Sequence, residues 1–100
     1  MKGYVYLLKN IDNNELCYIG STTKQLNQRY AQHKYECNTS FRNHYDYKIY
    51  KNIRATGGIQ KYTIEPLEEY DFETRIELVE KEKEFIKNLK PPLNSVIYKH

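Results

Sequence analysis

The stretches YVYLLKN (residues 4–10) and CYIGSTT (residues 17–23) decide how this chain folds. Each has the length and the aromatic and branched content of a strand. Between them, Asp12-Asn13-Asn14 is strong turn chemistry, because such side chains bond local backbone and tolerate left-handed φ. The pair predicts an antiparallel hairpin, with strands over about 3–10 and 15–20 and the second ending at Gly20-Ser21. Tyr6 and Tyr18 have like parity once the turn is allowed for, so they share a face. Tyr4 has the parity of Tyr6. Tyrosine suits strands for bland reasons, but its hydroxyl also donates, accepts or, if activated, takes a proton.

Outward from the hairpin, Thr22 or Thr23 is the expected cap of a helix over about 24–37. Its inward stripe reads Leu26, Tyr30, His33, Cys37, spaced by 4, 3 and 4. Residues 38–45 read as a loop. A second helix over about 46–55 carries Tyr47, Ile49, Tyr50 and Ile53, and Gly57-Gly58 stops it. Alternation in residues 61–70 predicts a third strand, with Pro66 marking an edge or an end. A long helix over about 72–89 ends at Pro91-Pro92. The order β-β-α-α-β-α predicts an α+β fold, a small three-stranded antiparallel sheet flanked by three helices.

One hundred residues suit a single domain over 1–100. With 39% hydrophobic and 29% charged residues the chain is globular rather than disordered. No apolar run is long enough to span a membrane, so no membrane partner and an intracellular location, cytoplasmic or nuclear, are expected. Cys17 and Cys37 lack metal-ligand spacing and read as free thiols of a reducing compartment. A net charge of +3 permits a polyanionic partner without demanding one.

The third helix carries the sharpest anomaly. Leu78, Glu82, Phe85 and Leu89 are spaced 4, 3 and 4, with Val79, Ile86 and Ile76 widening the stripe. Glu82 therefore falls at its centre, while Glu77, Glu80 and Glu84 fall on the opposite side. An ionised carboxylate facing the protein costs several kcal/mol unless it is paired or binds a metal. It either sits at a groove edge, pairs with an arginine, or is functional. The first helix repeats the theme. His33 lies on its apolar stripe with Arg29 one turn earlier; singly, each is more often a packed histidine and a surface cation.

Together these residues resemble the GIY-YIG nucleases, of the homing-endonuclease type, over about residues 3–95. The second motif stands as Tyr18-Ile19-Gly20. In the first, Tyr4-Val5-Tyr6 stands where Gly-Ile-Tyr is usual; Tyr6 is kept and Gly3 lies one position earlier. Arg29 and His33 in QRYAQHK match the family's helix, His44 matches a further histidine of some members, Glu82 in EKEFIK matches its glutamate, and Asn94 in PPLN its late asparagine.

The resemblance implies hydrolysis of a DNA phosphodiester with one divalent metal, Mg²⁺ or Mn²⁺, held by Glu82. Magnesium needs only one or two protein carboxylates plus water and phosphate, so a single core-facing glutamate suffices. Arg29 is expected to hold the scissile phosphate. Tyr6 is the first candidate to deprotonate water, with Tyr18 assisting and His33 relaying the proton. Only on the order of a thousandth of an unperturbed tyrosine is phenolate at neutral pH, so this base needs help. Gly20, Ser21, His44, Lys48 and Asn94 complete the expected site as substrate contacts, with Asn94 bracing by hydrogen bonds. Gly20 either lets substrate approach or fits a bulge. A homodimer, or a separate DNA-binding domain or subunit, would add specificity. The alternative is a non-catalytic nucleic-acid-binding module of the same fold, using Lys24, Arg29, Lys34, Arg42, Lys48, Lys51 and Arg54 on phosphates; a purely structural domain is the blandest option.

Overall fold

Asn10 closes the hairpin in the computed structural model, which describes residues 1–40 and 43–94. Its Oδ1 accepts the backbone N–H groups of Asp12 and Asn13, an Asx turn, and its Nδ2 donates to the Thr56 carbonyl. The strands it joins are β1 (Lys2–Asn10) and β2 (Cys17–Thr22), paired antiparallel with Tyr6 opposite Gly20 and Leu8 opposite Tyr18. The second strand thus runs on past Gly20 to Thr22. Gly20 and Ser21 lie inside it, where Ser21 still pairs with Val5.

The third strand, β3 (Tyr62–Asp71), adds antiparallel to the other side of β1, giving the order β2-β1-β3. Pro66 lies opposite Tyr6 where the pairing slips by a residue. A proline is tolerated there because β3 is an edge strand.

Helix α1 (Leu26–Asn38) starts later than expected, at a Gln25 cap whose N–H donates to the Gln28 side chain. Thr22 stays in the strand, and its hydroxyl accepts the Lys24 N–H. After a single 3-10 turn at Asn43–Asp46 comes α2 (Lys48–Ala55), then α3 (Arg75–Leu89). Alternation along β1 sends side chains to two faces. Leu8 packs with Cys37, Tyr50, Ile53 and Tyr62 beneath α1 and α2. Val5 packs with Ile19, Phe72, Leu78 and Ile86 beneath α3. The sheet is therefore the middle layer of an α+β sandwich. In α3, Leu78 and Ile86 are buried as expected, but Leu89 and Ile76 are exposed. Cys17 and Cys37 are free thiols. Among the described residues no helix is long and apolar enough to cross a membrane.

Candidate active site

The site is assembled at β2, an edge of the sheet, from both faces. Tyr6 projects from the central strand across Gly20. A Cβ at Gly20 would collide with the Tyr6 hydroxyl, so the glycine makes room for that ring. The glycine thus answers an internal packing need. Tyr6 is fully buried, and its hydroxyl lies 2.7 Å from His33 Nε2. Tyr18, a diagonal neighbour on the same face, has its ring 6.5 Å from that of Tyr6 and 6.0 Å from His33. The parity argument placed these tyrosines correctly. Tyr4, opposite Thr22, is half-buried.

Arg29, one turn before His33 on α1, is half-buried, and its Nη1 is buried without a hydrogen-bond partner. It lines a polar groove together with Ser21, Lys24, Gln32 and Arg75. From the opposite face, Glu82 is half-buried and accepts a hydrogen bond from the Ser21 hydroxyl at 2.5 Å. Ser21 thus orients Glu82 as well as lining the groove.

The electrostatics bind these parts into one site. Burial pushes the Tyr6 hydroxyl well above its ordinary range, Tyr18 adds to the rise, and Arg29 opposes it. Burial raises Tyr18 also, with the Glu82 charge adding. His33 is pushed down to about 3, first by burial and then by Arg29, so its imidazole is neutral at ordinary pH. Burial raises Glu82, with the Ser21 hydrogen bond, Lys83 and Arg29 pulling the other way. For Arg29, burial works against the charge, but Tyr6 and Tyr50 outweigh it and its affinity for protons rises.

Three further residues expected at the site are placed as follows. Asn94 is fully buried, and both ends of its amide bond the Ile19 backbone: Oδ1 accepts from the N–H at 2.8 Å and Nδ2 donates to the carbonyl at 2.9 Å. It braces the outer edge of β2. His44 faces Glu36, its Nε2 3.9 Å from a carboxylate oxygen. Lys48 is exposed at the start of α2. Of the basic residues, Arg54 is internal: it donates to the Cys37 and Tyr45 carbonyls and stacks on the Tyr45 ring. Arg42 lies outside the described residues. Arg75, which sequence reasoning passed over, joins the groove from the first turn of α3. Glu36 and Tyr50 were also passed over. Glu36 stands three residues after His33, the spacing that shares a helix face.

The small sheet of this α+β fold draws polar side chains from both faces to one edge. The chain belongs to the GIY-YIG catalytic domain family, whose model matches residues 2–95. The likeness carried by the hairpin and helix motifs is thereby borne out. Among solved structures, a mutant of the catalytic domain of intron endonuclease I-TevI is similar at 26% identity, covering 90% of this chain and 86% of that one with a TM-score of 0.69. A second structure, the catalytic domain of homing endonuclease I-TevI, is 24% identical, covers 88% of each chain, and has the same TM-score of 0.69, a likeness of fold. Comparison with curated proteins finds no match.

Proposed function

We propose that this domain is a divalent-metal-dependent endonuclease that hydrolyses DNA phosphodiester bonds at the β2 edge. The observation that carries the reading is the Arg29 guanidinium, which lines a polar groove with one nitrogen buried and unpartnered. A buried donor left unpaired is costly, and a phosphate oxygen satisfies it. Endonuclease catalytic domains among the structural neighbours support the same assignment.

The donors suit a hard cation. Glu82 and Ser21 offer oxygen alone, and no cluster of three or more His, Cys, Asp or Glu residues occurs among the described residues. That fits Mg²⁺ or Mn²⁺, which keep several waters and take substrate oxygens, with Glu82 as the protein ligand. When bound, such an ion supplies Lewis-acid polarisation of the phosphate and stabilises the leaving oxygen.

The chain's own groups do the rest. Arg29 holds the phosphate and offsets charge that grows on its oxygens. Tyr6 Oη accepts a proton from the attacking water while giving its own to His33 Nε2. A free phenolate is never needed, which matters because burial makes that phenolate expensive. Tyr18 positions the water or phosphate beside Tyr6.

Supercoiled plasmid incubated with the protein and Mg²⁺ or Mn²⁺ should become nicked or cut, and EDTA should abolish this. Arg29→Ala should slow cleavage by at least about 10²-fold, as for loss of one stabilising donor. A folded wild type that leaves plasmid, branched and single-stranded DNA intact with either metal contradicts the proposal.

A further inference from the structure

Behind Tyr6 runs a line of hydrogen bonds of which the chemistry above uses only the first link. Tyr6 Oη lies 2.7 Å from His33 Nε2, His33 Nδ1 lies 2.9 Å from Tyr50 Oη, and Tyr50 Oη lies 2.5 Å from Glu36 Oε1. The line starts on β1, crosses α1 to α2, and returns to α1. Glu36 is its last member; its other oxygen accepts from Gln32 Nε2 at 3.2 Å and faces His44.

The far end fixes the direction of every bond. A carboxylate oxygen accepts, and the Tyr50 hydroxyl donates to Glu36 Oε1. Having used its proton, Tyr50 accepts from His33 Nδ1, which must then carry the N–H. A neutral imidazole has one such hydrogen, and burial beside Arg29 keeps His33 neutral. Nε2 is therefore bare and accepts from Tyr6.

We propose that Tyr50 and Glu36 are positioning residues that hold His33 as the Nδ1–H tautomer and receive the proton that Tyr6 releases. This rests on the nuclease reading for its catalytic part, not for the tautomer. As Tyr6 takes a proton from water and passes its own to Nε2, the Nδ1 proton moves to Tyr50 and the Tyr50 proton to Glu36. Each bond to hydrogen broken along the line is matched by one formed. Tyr6, His33 and Tyr50 end neutral, Glu36 ends protonated, and the hydroxide bonds to phosphorus as the bond from phosphorus to the leaving oxygen breaks; that oxygen takes its proton from solvent water. Stopping at His33 would leave an imidazolium buried beside the Arg29 cation, which both burial and that charge oppose.

The test is the proton position on His33, read by ¹⁵N NMR of the imidazole nitrogens in the full chain. Wild type should show Nδ1 protonated and Nε2 bare. Tyr50→Phe keeps the ring but removes the acceptor, and Glu36→Gln removes the acceptor-only group; each should raise the Nε2–H form. Both variants should lower kcat by about 10²-fold with KM for DNA within about twofold. Wild-type His33 protonated on Nε2, or both variants cutting at the wild-type rate, overturns the proposal. If the folded wild type cuts no DNA, the nuclease reading fails and the tautomer decides the arrangement alone: Nδ1–H upholds it, Nε2–H overturns it.

Discussion

Gly20 faces Tyr6 across the hairpin, and a methyl group there collides with the hydroxyl that bonds His33. Gly20→Ala should therefore push Tyr6 off His33, cost about 1–3 kcal/mol of stability in urea melts, and abolish cleavage. His33 itself makes stability depend on pH. The folded chain keeps it neutral down to about pH 3, whereas the unfolded chain protonates it below about pH 6.5. In that window the unfolded state binds more protons, so His33 lowers stability as pH falls from 6.5 toward 3 and does not do so above 6.5. The loss between pH 7.5 and pH 5 should be larger for wild type than for His33→Gln, by an amount on the order of a kcal/mol or two; equal losses would show that His33 protonates freely in the fold. Glu82 and His33 were legible in the sequence because each breaks the apolar pattern of its own helix. Glu36 and Tyr50 were not. Glutamate beside a helix stripe is ordinarily solvated, and an inward tyrosine on a short helix is ordinarily packing. Their meaning is a contact between two helices, which no single helix pattern encodes.

At the scale of elements, α3 shows what periodicity reports and what it omits. The repeat gave the direction of Leu78, Glu82, Phe85 and Ile86 toward the sheet. It gave the same direction to Leu89, which is the last residue of the helix and is 56% exposed. Angle follows from sequence spacing, whereas how far the layer beneath extends along the axis does not. Ile86→Ala should cost about 2–5 kcal/mol in denaturant melts. Leu89→Ala should cost less than about 0.5 kcal/mol, and a comparable cost at both positions would mean α3 packs on another face. The end of β2 went astray for a related reason. Glycine and serine were read as a stop, yet the ladder continues through them to Thr22, since the glycine answers to a ring on the next strand.

Across the whole molecule, the sandwich places Tyr6, His33 and Arg29 on one face of the sheet and Glu82 on the other. They meet only because β2 is an edge, where Ser21 reaches Glu82 while the groove beside it opens to Arg29. Residue types and order were readable from the chain; this meeting across an edge needed the register of three strands. The basic surface was legible in part, since a cation's count says nothing of its partner: Arg54 holds carbonyls, and Arg75 stands at the groove instead. Glu82 stands as the proposed metal ligand on the face opposite the tyrosine and arginine. The decisive measurement of that role is single-turnover cleavage of supercoiled plasmid in Mg²⁺, wild type beside Glu82→Gln, with circular dichroism confirming that both are folded. Wild type should cleave in a metal-dependent way, and the variant should lose at least about 10³-fold. Cleavage by folded Glu82→Gln at the wild-type rate would contradict that role.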